Sequence, residues 1–342
     1  MRALVLSWLL SVGCVHAQTV ERLRGLAADV SSIGVSGVSS GGSMAVQFHV
    51  AHSAVVRGAG VLAAGPYYCA QGQTATAQTN CMVPDLFAPV TATPLLKTET
   101  DALAALGAID ATSNLAQARV WLFSGTHDDT VLPVVVEALS RFYRVYVPAA
   151  SIKLVRDIAA GHGMVTMDYG GSCGTTAAPF INNCRFDAAG ALLQQIHGPL
   201  APPAAHESGR LITFDQREFA DGKPHAISLA DTGYAYVPRS CEGKSCRVHV
   251  AFHGCRQNAE TLNLTFVRHA GYNRWADSNA IIVLYPQTIA RYGVWGWPPR
   301  WVFNPGGCWD WWGYTGEDYH THAAPQIHAV KAMLDRLGEK RR

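Results

Sequence analysis

Charge is scarce in this chain. Only 15% of its 342 residues are Asp, Glu, Lys or Arg and the formal net charge is +2, so the clustered basic stripe that nucleic acid requires has no source. No C-x-x-C occurs and no histidines stand at zinc spacing beside the cysteines; no metal or other cofactor is expected. Internal repeats, low-complexity tracts and heptads are missing as well. Past the N-terminus no stretch is long and apolar enough to span a bilayer, so no membrane partner is expected.

What is present is apolar. Hydrophobic residues make up 49% of the chain, enough to bury a large core in one big α/β domain or two modest ones. Arg2, the apolar run 3–13 and then Val15-His16-Ala17 read as a secretory signal peptide over residues 1–17. A secreted protein, extracellular or periplasmic, is the expectation; Ser11-Val12-Gly13-Cys14 is only a poor relative of a lipoprotein box. Of 9 cysteines, removal of Cys14 leaves an even set, which in an oxidising compartment reads as a disulfide framework. Neighbours along the chain suggest Cys69 with Cys81, Cys173 with Cys184 and Cys241 with Cys246, leaving Cys255 to join Cys308.

Strand character recurs at 33–38, 58–63, 118–123 and 151–158, each followed by turn residues, with a helical pattern at 132–143 among them. That alternation predicts a parallel sheet with crossover helices. Pro199, Pro202 and Pro203 mark 198–209 as a loop or linker. Strand candidates resume at 211–214, 234–237, 247–252 and 281–285, and a last helix is expected over 324–337.

Chemistry enters at Gly37-Val38-Ser39-Ser40-Gly41, a G-x-S-x-G pentapeptide set between a strand and a helix pattern. Glycines on both sides let a strained elbow hold the Ser39 hydroxyl clear of the sheet. A serine alcohol is a weak nucleophile and needs a general base oriented by a carboxylate. In α/β hydrolases these follow in the order Ser, acid, His. The strand 120–123 runs into Ser124-Gly125-Thr126-His127-Asp128-Asp129, making Asp128 the expected acid and Asp129 its nearest competitor. After the next strand, Gly161-His162-Gly163 offers His162 as the base, against the bland alternative of a surface-loop histidine.

An oxyanion hole takes one amide from the residue after the nucleophile, here Ser40, and another from a His-Gly turn after a neighbouring strand. The strong candidate is His253-Gly254-Cys255, with the Cys255 amide as donor. It lies downstream of the histidine, whereas the usual order puts it upstream of the nucleophile. A circular permutation reconciles the two: the strands of 211–285 act as the early ones, and residues 18–342 form a single circularly permuted α/β-hydrolase domain with a mostly parallel central sheet.

Gly37 to Gly42 (GVSSGG), the Asp128 loop, His162, the His253-Gly254-Cys255 turn and the late NPGGCWDWWGY segment resemble the secreted polyhydroxybutyrate (PHB) depolymerases, over nearly the whole mature chain. The resemblance implies a circularly permuted α/β hydrolase with Ser39, Asp128 and His162 as triad and the Ser40 and Cys255 amides as oxyanion hole. It also matches Trp312 to an aromatic residue lining the crevice beside the scissile ester. No appended substrate-binding module or threonine-rich linker is visible, so a solid polyester, the expected partner, has to be met by the catalytic domain itself. Six of the 9 tryptophans fall between Trp295 and Trp312, and Trp295, Trp297, Trp309 and Trp311 join Trp312 as candidate substrate contacts. The bland alternative is an aromatic core under a loop. Two rival functions share these motifs: a feruloyl or acetylxylan esterase with the same triad, and a non-catalytic polymer-binding protein on the same scaffold.

Overall fold

Apolar residues alternate along the strands with period two, and the alternation has two destinations. The computed structural model describes residues 20–295 and 299–341, except the side chains of Trp295 and Arg300. The expected signal peptide with Cys14, and Trp297, lie outside the described residues.

The first half of the chain supplies β1 (Asp29–Val38), β2 (Val56–Leu62), β3 (Arg119–Phe123) and β4 (Ile152–Val155) to the main sheet. Among them lie α1 (Ser40–Ala51), α2 (Thr74–Thr79), α3 (Thr93–Ala105) and α4 (Pro133–Tyr143). Then β5 (Met164–Thr166), β6 (Gly171–Ser172) and β7 (Ile181–Asn183) form a separate small sheet, followed by α5 (Ala188–His197). The second half returns to the main sheet with β8 (Arg210–Asp215), β9 (Thr232–Val237), β10 (Arg247–Phe252) and β11 (Ile281–Tyr285). Helices α6 (Ala259–Leu262), α7 (Thr265–His269) and α8 (Tyr272–Asn279) separate the last two of these strands. A hairpin of β12 (Arg291–Trp295) and β13 (Arg300–Asn304) and the long α9 (Pro325–Gly338) complete the chain.

The 8-stranded sheet runs β4-β3-β2-β1-β10-β11-β9-β8. Only β9 is antiparallel to the strands beside it; the other pairings are parallel. Counted from β8, the strands cross the sheet as first, second, fourth, third, fifth, sixth, seventh and eighth. That is the order of an α/β hydrolase whose chain begins at the fifth strand, so the start of the chain lies beside strands from its second half. The sheet joins both halves. Residues 198–209 do not separate them: Ala201 and Ser208 bond through their backbone N–H groups to Asn279 and Asp277 of α8.

Ile33, Val35, Val61, Val120, Leu122, Val248 and Val250 pack on one face with α1, α4 and α9. Leu62, Trp121, Phe123, Ala251 and Val283 pack on the other with α5 and α8. Residues buried on both faces explain why the central strands read as nearly continuous apolar runs. The expected strand 151–158 stops at Val155, and the chain beyond it enters the irregular loop that carries His162.

The structure joins Cys69–Cys81, Cys173–Cys184, Cys241–Cys246 and Cys255–Cys308. The last spans 53 residues, for which loop-closure entropy alone predicts a stabilisation of about 4 kcal/mol.

Several histidines are sealed inside this core. Burial pushes His49 and His197 down to about 3 and His253 and His320 to about 4, and holds His249 well below its ordinary value. Each therefore stays neutral in the fold while the unfolded chain takes up a proton below about pH 6.5. Stability rises with pH wherever the unfolded state binds more protons. Thermal unfolding should accordingly move to lower temperature as pH falls from 6.5 towards 4. A melting temperature flat across that window, followed by circular dichroism, would contradict the assignment of these rings as neutral.

Candidate active site

Ser39 occupies the turn between β1 and α1 with φ 58° and ψ −125°, a backbone state that costs a non-glycine residue of order 1–3 kcal/mol and clusters at functional sites. The turn is held by close backbone approach. A Cβ on Gly41 would collide with the carbonyls of Phe252 and His253 at the end of β10, and one on Gly37 would strike the Gly41 carbonyl. This is the physical reason for glycine at both ends of the pentapeptide.

The β3–α4 loop delivers Asp128 and the loop after β4 delivers His162. Both are nearly buried, at 4% and 7% exposure. Nδ1 of His162 lies 2.9 Å from Oδ2 and 3.1 Å from Oδ1 of Asp128. Asp128 Oδ1 also accepts from the Thr130 and Val131 amides at 3.0 and 2.9 Å, which fixes the carboxylate as an acceptor. The His162 Nδ1–H then donates to it, leaving Nε2 free to accept a proton. Asp129, the sequence competitor, has no such contact with His162 among the described residues.

The His162 loop is braced from behind. Its amide donates to Thr176 Oγ1 at 2.9 Å, and Asn182 of β7 donates to the carbonyls of Gly161, Cys173 and Thr175. Nothing in the local sequence signals the small sheet that supplies this brace, because its strands are two or three residues long.

At the end of β10, His253 acts as a bracket. Its Nδ1–H donates to the Gly254 carbonyl at 2.7 Å, and its Nε2 accepts from the Thr288 amide at 3.2 Å, an arrangement only a neutral imidazole supplies. Pinning the Gly254 carbonyl turns the Cys255 N–H of the same planar peptide the opposite way. Gly254 N is taken by Gln257 Oε1 and Arg256 N by the Gly306 carbonyl, while Cys255 N has no partner among the described residues. Ser40 N, at the first position of α1, likewise lacks an intrahelical acceptor. Two backbone donors thus stand unspent beside the turn, since a Cβ on Gly254 would sit 3.4 Å from the Ser39 Cβ.

Ser39, Ser40, His162, Gly254 and Cys255 line one cavity of about 390 Å³. Trp311, Trp312, Met82, Val131 and Phe303 make its apolar walls. Trp309 does not reach it. Contrary to the expectation from sequence, Trp309 is completely buried, edge-on to Phe252 at 4.9 Å: it faces the core while its neighbours face the cavity. The backbone N–H of Trp309 donates to Ser40 Oγ at 3.3 Å. Trp295 contributes its backbone to β12, its side chain being outside the described residues.

One residue unmarked by sequence reasoning organises the tryptophan segment. Asp310 is buried; its carboxylate accepts from the amides of Trp312, Gly313, Tyr314 and Thr315 and from Thr315 Oγ1. Its own carbonyl accepts from Gln47 of α1 at 2.9 Å. An acidic residue inside an aromatic run was the available signal, since a carboxylate buried there requires such donors.

No family model matches the chain. A polyhydroxybutyrate depolymerase of Talaromyces funiculosus is 34% identical over 341 residues, covering 97% of this chain and 96% of that protein. The chain belongs to the PHB depolymerase family. A poly(3-hydroxybutyrate) depolymerase of Delftia acidovorans is 44% identical over 335 residues, 96% of this chain. The chain spans 64% of the length of that relative. The crystal structure of the PHB depolymerase from Penicillium funiculosum superposes with a TM-score of 0.84 at 32% identity, covering 94% of this chain and 100% of that one. A PHB depolymerase with a serine replaced by alanine, complexed with an R3HB trimer, matches equally well.

Within this family scaffold the two adjacent aspartates differ sharply in environment. Asp128→Asn should retain the fold yet lower kcat by about 10⁴, because an amide favours the wrong imidazole tautomer. Asp129→Asn should stay within about twofold of the parent, as expected of a side chain outside the pair. Steady-state kinetics on a soluble ester would check both, and equal losses would refute the distinction.

Proposed function

We propose that this chain is a secreted serine esterase that hydrolyses poly(3-hydroxybutyrate) or a related polyhydroxyalkanoate through an acyl-enzyme. The observation that carries the proposal is His162, paired through Nδ1 with Asp128, lining one apolar cavity with the strained Ser39 turn and Cys255 of the bracketed turn. His162 Nε2 takes the Ser39 proton as Oγ attacks the ester carbonyl, and the tetrahedral oxyanion accepts from the Ser40 and Cys255 amides. The protonated His162, its charge balanced by Asp128, returns the proton to the departing alkoxide. Water then attacks the acyl-Ser39 ester by the same route, releasing a hydroxyacid or its oligomer. The triad chemistry needs no cofactor.

Four disulfides support an oxidising compartment outside the cytoplasm. No described helix is long and apolar enough to cross a membrane.

A surface for solid polyester is offered by the β12–β13 hairpin. Tyr292 opposes Phe303 and Val294 opposes Trp301 across the hairpin, and these side chains are exposed at 63%, 47%, 61% and 61% respectively. Because Phe303 also lines the cavity, the apolar strip continues from the reaction site onto the surface. Contiguous apolar exposure of this kind marks an interaction site, and a polymer face fits it better than a sugar, which would demand polar groups among the rings.

Ser39→Ala should abolish turnover of every ester while leaving the circular dichroism spectrum unchanged; residual clearing of a polyester suspension would place the nucleophile elsewhere. Parallel assay on feruloylated or acetylated xylan tests the carbohydrate-esterase alternative, which gains if only the polysaccharide is deacylated.

Trp301→Ala should slow suspension clearing at least several-fold while kcat/KM on a soluble hydroxybutyrate ester stays within about twofold. Parallel losses on both substrates would mean that the strip is part of the reaction site and not an adsorption surface.

A further inference from the structure

One buried side chain bonds to both sides of the cavity. Gln257, 2% exposed, lies in the turn after β10 and lines the cavity with Ser39, His162 and Cys255. Its Oε1 accepts from the Gly254 amide at 2.7 Å, and its Nε2 donates to the carbonyls of Phe180 at 2.8 Å and Pro179 at 3.3 Å. The partners fix which way the side-chain amide points, because a backbone N–H only donates and a carbonyl only accepts. We propose that Gln257 is a positioning residue that ties the turn presenting the Cys255 amide to the loop carrying His162. The inference rests on the esterase reading above and concerns the same site.

Each end of this bridge stands one or two residues from a reacting group. At the first end, the Gly254 carbonyl accepts from His253 Nδ1–H and the Gly254 amide is taken by Gln257. Both peptide planes flanking Gly254 are thereby held, and the second of them contains the Cys255 N–H. At the other end, the Phe180 carbonyl also accepts from the Met164 amide at 2.8 Å, two residues beyond His162. Glycine stands at both points because the approach is close. A Cβ on Gly254 would lie 2.8 Å from Gln257 Oε1, and one on Gly163 would lie 2.6 Å from the Phe180 carbonyl oxygen. Phe180 itself holds a left-handed φ of 55°, which a non-glycine residue keeps only where its surroundings over-determine it. Two donors on its carbonyl are part of that constraint.

Base and oxyanion donor come from distant parts of the chain, yet a catalytic constellation must hold its geometry to within about 0.5 Å. An amide suits the task, since one planar group both accepts and donates, whereas an ionised glutamate only accepts. Sequence spacing gives no hint of the role, because the partners stand 3 and 77 positions away.

The test uses the full mature chain with Gln257→Met, which fills the same space without the amide, and Gln257→Asn, which keeps the amide but not its reach. Exhaustive labelling with a fluorophosphonate counts competent sites, and kcat is taken per labelled site, so partial unfolding does not mimic the effect. On p-nitrophenyl butyrate each variant should lose at least tenfold in kcat with KM within about threefold, the pattern of an interaction made in the transition state. Butylboronic acid, whose adduct with Ser39 is tetrahedral, should bind more weakly by a similar factor, while inhibition by 3-hydroxybutyrate, a ground-state ligand, stays within about twofold. Thr176→Val removes the side-chain acceptor of the His162 amide; combined with Gln257→Met it should cost less than the product of the two single losses, because both groups hold one loop. Unchanged kcat in both Gln257 variants, equal weakening of boronate and hydroxybutyrate, or strictly multiplicative losses with Thr176→Val would overturn the proposal. A parent chain that neither turns over the ester nor takes the label would instead sink the esterase reading, and this inference with it.

Discussion

Everything at the proposed reaction site depends on the parallel register between β1 and β10. Ser36 pairs with Ala251 and Gly37 with Phe252, so the next residues of each strand leave the sheet side by side. Those residues are Ser39 on one chain segment and His253-Gly254 on the other. The register is set from below. Val35 and Val250 pack on the α1 face, whereas Ser36 and His249 point to the other face, where Ser36 Oγ meets His249 Nε2 at 2.7 Å and Tyr272 at 2.8 Å. Sliding one strand by a single residue would send a valine into that polar pocket and a histidine into the aliphatic core. Two apolar layers and one buried polar cluster thereby fix where an amide donor stands relative to a hydroxyl.

That constraint allows the strain at Ser39 to persist. An unfavourable φ at a non-glycine residue relaxes unless the surroundings over-determine it. Here the Ser39 amide donates to Leu62 of β2, its carbonyl accepts from Ser43 within α1, and Gly41 abuts the last carbonyls of β10. Three neighbouring elements share one turn. Trp309 extends the same clamp from the other side by bonding Ser40 Oγ while its ring fills the core against Phe252.

Much of this was legible in the chain because it is local. The pentapeptide, the acid loop and the His-Gly-Cys turn each follow a strand whose apolar run is unmistakable, and Gly161-His162-Gly163 lies in the loop after β4. The permutation could be read from their order alone. Trp309 could not: neighbouring tryptophans at 309, 311 and 312 look alike in sequence, and only the path of the backbone decides that one points inward. The β12–β13 hairpin was missed as an element because its exposed residues are aromatic on both strands and so lack the alternation of apolar and polar that marks a half-buried strand. Asp310 escaped notice for a related reason, since its donors belong to residues 312–315 and form a carboxylate-centred loop that has no fixed motif.

The walls of the cavity show how a site is built where the sheet gives out. One wall is made by α2, the segment around Met82 and the tryptophans packed on it, and another by residues 303–308. Neither wall belongs to the main sheet, and the core beneath the first is small, with Cys69, Ala70, Ala77 and Cys81 packed against Val90, Trp311 and Trp312. Little apolar area is available there to offset the entropy of ordering irregular chain. Each wall carries a disulfide instead: Cys69–Cys81 closes the first and Cys255–Cys308 ties the second to the turn that presents the Cys255 amide. Covalent constraint substitutes for burial at the positions where burial is thinnest, and one of its anchors, Cys255, itself lines the cavity. The proposed reaction site is therefore held by the sheet on one side and by sulfur on the other, with the hairpin exposed beyond it.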